Sequence, residues 1–244
     1  MALEKLVGGK IISYKGESFL LVEKSLEEMG DNPITRYLAE HKQNLSLDKV
    51  RKRFPGLHHV PKNAMLYFDV ETTGLSGNHA IFSIGMTHLT EGINTSCLFA
   101  RDYWEERAVL KYFLDLLPEH HAFFTYNGDS FDIPRLEKRI RNAHGLLHDS
   151  KSLRDFMNSA HIDLYHEMRK ACPGLQDYTL RSVEKLVFGL SRRGDIASSK
   201  VPEAYQEYIN GTDGEEKIAR VIQHNMRDTL TLAAIFAYLC REKH

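Results

Sequence analysis

An α/β fold, a mixed β-sheet flanked by helices, is what this 244-residue sequence predicts. Three observations lead there. Met65-Leu66-Tyr67-Phe68-Asp69-Val70 is a mostly apolar run of strand length, the signature of a buried central strand. From Ala64 onward, strand-like and helix-like segments alternate. The chain then ends in a long helical stretch from about Glu215 to Arg241. A mixed sheet with crossover helices and a helical C-terminal half accommodates all three.

Taken in order, Ile11–Tyr14 and Ser18–Val22 read as a small hairpin joined around Lys15-Gly16-Glu17. Polar, helical stretches follow through Leu45 to Phe54 and close at Pro55-Gly56 and Pro61. Arg51, Lys52 and Arg53 suit a solvated helix end, where cations complement the helix dipole. Residues 1–63 are therefore expected to form an N-terminal extension, a hairpin plus a helical segment, ahead of a main domain over 64–244. In that domain Ile81–Leu89 and Asn94–Ala100 are expected as antiparallel neighbours of the central strand, turning around Glu91-Gly92. Glu105–Leu117 has helical spacing (Val109, Leu110, Phe113, Leu117) and stops at Pro118. Ala122–Tyr126 predicts a second short buried strand, Pro134–Ala143 a helix and Ile162–Leu164 a third strand. Leu180–Phe188 and Pro202–Ile209 are the remaining helices.

Composition excludes several classes. A hydrophobic fraction of 42% with 27% charged residues builds a core, which rules out a disordered tail, a collagen-like chain or a disulfide-stapled miniprotein. Thirty-two Lys+Arg against thirty-three Asp+Glu leave a formal charge of −1, so bulk electrostatics names no partner. Cys97, Cys172 and Cys240 are odd in number and form no Cys-x-x-Cys pair, which suits reduced thiols in the cytosol. The thirteen histidines, including His58-His59 and His120-His121, show no zinc-ligand spacing. The first ten residues do not read as a secretory signal, and Ala233–Cys240 is far shorter than the roughly twenty apolar residues of a membrane span. The expectation is a soluble cytoplasmic protein without membrane association.

Chemistry concentrates in four segments. In Asp69-Val70-Glu71-Thr72-Thr73-Gly74-Leu75, strand alternation sends the Asp69 and Glu71 carboxylates to one face. Two adjacent anions resist ionisation unless a cation lies between them, and oxygen ligands suit Mg²⁺ or Mn²⁺. Thr72-Thr73-Gly74 then turns the chain, with backbone N–H groups expected free near the site. The second segment, Tyr126 to Leu136, follows a buried strand and opens a helix; there Asp129 or Asp132 reads equally as a helix cap or as a ligand. The third places His224 and Asp228 four apart on one helical face, either as a surface pair or as site residues. The fourth, His161-Ile162-Asp163-Leu164, puts an acid at a strand end, where capping is the simpler role.

In this order and context, the segments resemble the three exonuclease motifs of the DEDD (DnaQ-like) 3′–5′ exonucleases of the ribonuclease H-like fold. Asp69 to Leu75 resembles the first motif, Asn127 to Asp132 the second, and the segment ending at Asp228 the third. The match is closer to the YprB-type branch, through Tyr126-Asn127-Gly128 with Phe131-Asp132, His161-Ile162-Asp163-Leu164, Leu180 to Glu184, Pro202 to Tyr208, and His224-Asn225 with Arg227-Asp228. It spans roughly residues 64–240. One departure stands out: family members place a Tyr four residues before the last Asp or a His five before it, whereas here His224 is four before and Gln223 five before.

The resemblance implies that Asp69, Glu71, Asp132 and Asp228 hold two divalent cations, Mg²⁺ or Mn²⁺, for a two-metal phosphodiester hydrolysis at single-stranded DNA or RNA ends. The family pattern does not supply the general base here; His224, one turn before Asp228 and with the near-neutral pKa of a histidine, suits that role. The resemblance also implies substrate contacts by Thr72, Thr73, Leu75, Asn127 and Phe131. Arg135, Lys138 and Arg139, spaced by three and four, would share a face able to meet a phosphate backbone, or simply face solvent. Two rival readings stay open: a nucleic-acid-binding module that kept the fold and lost turnover, and the same metal site acting on another nuclease substrate or small phosphodiester.

Overall fold

The computed structural model describes residues 2–74, 76, 78–143, 146, 153, 157, 160–192, 194–211 and 214–241. Among them runs one seven-stranded sheet, ordered β1-β2-β5-β4-β3-β6-β7. Its strands are β1 (Lys10–Tyr14), β2 (Glu17–Ser25), β3 (Met65–Thr72), β4 (Ile81–His88), β5 (Asn94–Phe99), β6 (Ala122–Thr125) and β7 (His161–Asp163). β6 lies parallel to β3, and β7 parallel to β6; the other pairs are antiparallel. The expected mixed sheet is thus present.

The N-terminal hairpin forms the outer two strands of this sheet. Lys15 and Gly16 both take positive φ (49° and 83°), the two-residue turn that matches strand twist. β2 then pairs along β5, Leu20 opposite Phe99 and Val22 opposite Cys97, with Phe19, Leu20 and Val22 fully buried.

The sheet is packed on both faces. Along β3, Leu66, Phe68 and Val70 join the core on one face with α4 (Glu106–Leu116) and α5 (Asp132–Lys138), while Met65 and Tyr67 join the core on the other. That second core also takes residues of α2 (Pro33–His41), α3 (Leu47–Arg53), α6 (Leu164–Ala171) and α7 (Leu180–Val183). α8 (Val201–Ile209) and the short α1 (Leu3–Val7) contribute to the first.

The last helix, α9 (Glu215–Leu239), is the axis of the molecule. At 1.5 Å per residue its 25 residues span about 37 Å. Nearly every side chain from Ile218 to Leu239 is buried, so the helix is apolar around most of its circumference and takes part in both cores. Two expected helices end differently. After Lys138 the helix widens into a π turn over Arg139–Ala143, and after Val183 another π turn covers Glu184–Phe188. Among the described residues no helix is long and apolar enough to cross a membrane.

Candidate active site

Asp69 and Glu71 lie on the face of β3 shared with Met65 and Tyr67, as strand alternation requires. α9 crosses beside them because of a glycine. Gly85 of β4 pairs with Asp69 in the register, and a Cβ there would stand 2.8 Å from the Asn225 backbone oxygen and from its Oδ1. The missing side chain lets α9 approach closely enough for Asn225 Nδ2 to donate to Asp69 Oδ2 at 2.7 Å, while Asn225 Oδ1 accepts from Ser83 Oγ at 2.7 Å. Asn225 is fully buried, so both ends of its amide are satisfied inside the protein.

Asp132 arrives from the other side. It is the first residue of α5, yet its Oδ1 accepts the backbone N–H of Val70 at 3.0 Å rather than capping its own helix. This bond fastens the second segment to the strand between the two acids of the first. The cap reading therefore does not hold for Asp132. Asp163 does cap, accepting from Tyr165 N at 3.0 Å, and it also accepts from Asn127 N (2.8 Å) and Asp129 N (3.2 Å). Asp129, Asp163 and His166 bring ligand atoms within 4.8 Å of one another, but Asp163 spends its oxygens on this backbone clamp.

His224 and Asp228 are buried, not a surface pair. His224 Nε2 lies 3.5 Å from Asp228 Oδ2 and 3.9 Å from Glu71 Oε1, joining the third segment to the first. That nitrogen is buried without a hydrogen-bond partner among the described residues.

Around this centre stands a group of charges in which Arg192 and Asp195 carry no signal in the sequence motifs, and Glu184 and Arg227, present in those motifs, carry no sign there of a role at the site. Arg192, its side chain 3% exposed, forms an ion pair with Asp228, donates to both oxygens of Glu184 at 2.6 Å, and contacts Asp195 Oδ2 at 3.2 Å. Asp195 Oδ2 also sits 3.0 Å from His224 Nδ1 and 3.2 Å from Arg227 Nη1. Glu184, completely buried, opens the π turn that follows α7. Arg192 and Asp195 lie in the connection before α8, where no periodicity marks them.

The electrostatics follow from this crowding. Burial first, then the charges of Asp132, Glu71 and Asp228, hold the Asp69 carboxyl well above the usual range. Burial pushes Glu71 up to about 8 even though His224 and Arg192 oppose it. Burial likewise lifts Asp132 to about 7 against the Val70 hydrogen bond. Burial would lower His224, but Asp228, Asp195 and Glu71 outweigh it and push the imidazole up to about 9. Asp195 goes the other way, to about 2: burial alone would raise it, and His224, Arg192 and Arg227 more than offset that. Four mutually repelling carboxylates with no thiol among them are a hard oxygen donor set, which fits a divalent cation. Each engaged acid uses one oxygen in the fold: Asp69 toward Asn225, Asp132 toward Val70, Asp228 toward Arg192.

The expected substrate residues are placed less uniformly. Thr72 Oγ1 donates to the Gly74 carbonyl (2.7 Å), closing the turn after β3. Thr73 N–H is not free: it donates to Ala80 O at 2.9 Å. Leu75 lies outside the described residues. Asn127 adopts φ 60° and its carbonyl accepts from Ser130 and Phe131, so it shapes the loop leading to Asp132. The guanidinium of Arg135 stacks 3.3 Å from the Phe131 ring centroid, placing both beside the second segment. Arg139 is not on a phosphate-facing row. It is paired with buried Glu106 and donates to Asn78 O at 3.0 Å, because a carboxylate sealed inside α4 needs a cation.

Comparison with known proteins agrees with this architecture. The family model described as the RNase_H superfamily matches residues 66–240. The uncharacterized protein YprB of Bacillus subtilis (strain 168) is 28% identical over 185 residues, 74% of this chain and 43% of YprB. A DNA polymerase of Pyrococcus glycovorans is 29% identical over 146 residues, 54% of this chain and 18% of the polymerase. The family B DNA polymerase of the hyperthermophilic archaeon Pyrobaculum calidifontis superimposes with a TM-score of 0.52 at 20% identity, covering 71% of this chain and 24% of that one. The chain thus spans less than half the length of each relative. Sheet order, the placement of the acidic residues and the family match together make this chain a member of the RNase_H superfamily, with the ribonuclease H-like fold that the motifs led us to expect.

Proposed function

We propose that the chain is a metal-dependent 3′–5′ exonuclease that hydrolyses phosphodiester bonds at single-stranded DNA or RNA ends. The observation that carries this reading is the grouping of Asp69, Glu71, Asp132 and Asp228, drawn from β3, α5 and α9 and close enough for their charges to act on Asp69, with Glu71 and Asp228 beside the unpartnered Nε2 of buried His224. Membership of the RNase_H superfamily supports a nuclease-type activity.

The four carboxylates would hold two divalent cations, Mg²⁺ or Mn²⁺, which when bound supply nucleophile activation and charge neutralisation at the phosphate. The chain does the rest. Asn225 and the Val70 amide fix the Asp69 and Asp132 carboxylates. His224 Nε2, facing Glu71 and Asp228, would orient the attacking water; its imidazole, pushed up to about 9 without cations, would accept a proton from that water only where bound cations offset the charge of those acids. Phe131 and Arg135, stacked on each other, and Asn127, in the loop leading to Asp132, would receive the terminal nucleotide.

A second reading, a nucleic-acid-binding module with little or no turnover, is favoured by one feature. Arg192 already pairs with Asp228, so one of the four acids meets a built-in cation. One experiment separates the two: digestion of 3′- or 5′-labelled single-stranded DNA and RNA with Mg²⁺ or Mn²⁺, beside an Asp69→Ala control. Stepwise loss from the 3′ end that disappears in the variant supports the exonuclease. Binding without products under both metals supports the module.

A further inference from the structure

We infer that Asp195 is the positioning residue of the site: it anchors Nδ1 of His224, so that Nε2 is the ring nitrogen that faces the acidic centre. This rests on the proposed nuclease chemistry for its functional meaning, though the pairing itself can be tested without it.

The hydrogen-bond geometry leaves little choice. Both Asp195 Oδ2 (3.0 Å) and Arg192 Nη1 (3.2 Å) lie within reach of His224 Nδ1. A guanidinium only donates and a carboxylate only accepts. If Nδ1 carried a lone pair, that pair would point at a carboxylate oxygen. If Nδ1 carries the proton, it donates to Asp195, and Arg192 donates to the same oxygen at 3.2 Å. The second arrangement satisfies all three groups.

The anchor is itself held rigidly. Asp195 Oδ1 accepts from Ile196 N at 3.0 Å, while Oδ2 collects Arg192, Arg227 and His224. Both partners are closed off, with side chains 4% exposed, so water does not compete for Nδ1. With one ring nitrogen fixed, the other is directed toward Glu71 and Asp228, where it finds no hydrogen-bond partner among the described residues. A buried, unpartnered nitrogen aimed at a cluster of carboxylates is what an orienting partner on the far side of the ring would produce.

The test uses ¹⁵N-histidine-labelled full-length protein, wild type, Asp195→Ala and Asp195→Asn. NMR of the His224 ring should show an exchange-protected Nδ1 proton in the wild type, retained in part in Asp195→Asn, whose carbonyl still accepts, and lost in Asp195→Ala. This readout needs neither metal nor substrate. Failure of nuclease activity in the wild type therefore overturns the functional reading without touching the pairing. With a labelled single strand, kcat should fall about 10–100-fold in Asp195→Ala while KM stays within about threefold, and Asp195→Asn should recover part of the loss. A protected Nδ1 proton that persists in Asp195→Ala overturns the inference. So does an unchanged kcat, or a fall in kcat that tracks a collapse of the thermal midpoint equally in both variants.

Discussion

Asn225 donates to Asp69 across a gap that exists only because residue 85 has no side chain. The contact joins the last helix to the central strand at the point where the first acid stands, so the packing of α9 on β4 and the geometry of the site are one feature. Gly85→Ala should therefore act on both. Its methyl group would meet Asn225 atoms at 2.8 Å, and overpacking of this kind typically costs about 1–3 kcal/mol. Chemical denaturation should show that loss, and turnover should fall along with it because Asp69 loses its donor.

Asp132→Asn separates fold from chemistry. The amide oxygen can still accept the Val70 N–H, so the second segment stays fastened to β3. One repelling charge is removed from beside Asp69. At pH 8 without divalent cations the variant should melt no lower than the wild type, and Mn²⁺ should stabilise it less. Hydrolysis should fall by about 100-fold or more if Asp132 is a ligand of the kind proposed.

Stability without divalent cations should fall from pH 5 to pH 8. Folded Glu71 and Asp132 keep their protons up to about 8 and about 7, whereas the unfolded chain releases them near the ordinary carboxylate values of about 4. Over that window the unfolded state binds fewer protons, so raising the pH favours unfolding. His224 adds the same sign: its raised value of about 9 gives stability that is lost as pH rises through it. Thermal melts in chelator across pH 5–8, repeated with Mg²⁺, should show a cation-induced rise in midpoint that grows with pH. A flat profile in chelator would contradict the crowding of these carboxylates.

The Arg192–Glu184 pair is sealed from water, with side chains 3% and 0% exposed. Removing one partner strands a buried charge, so Arg192→Met should destabilise by about 3–5 kcal/mol, measured by urea denaturation. Replacing both, as Arg192→Met with Glu184→Leu, should recover much of that stability while leaving Asp228 without its cation. If Arg192 serves only the fold, hydrolysis should recover with stability; if it positions Asp228, hydrolysis should stay low.

Much of the site is legible in the sequence because local period encodes it. The two-residue repeat of β3 puts Asp69 and Glu71 on one face, and the four-residue step of α9 puts His224 and Asp228 on another. The alternation of apolar strands with helices gives the mixed sheet, and Lys15-Gly16 gives the hairpin. What periodicity does not carry is which faces meet. Glu184, Arg192 and Asp195 come from a π turn and an irregular connection, segments with no repeat to read, and they pair with residues up to 36 positions away. Arg139 shares the spacing of Arg135, yet buried Glu106, 33 residues earlier, captures it, since a charge sealed in the core finds its counterion wherever packing brings one. The sequence by itself thus determined most of the strands and helices and the shared faces of Asp69 with Glu71 and of His224 with Asp228. The tertiary structure alone decided which cations stand among those acids, because long-range ion pairs depend on burial and close packing, and neither is written in a local pattern.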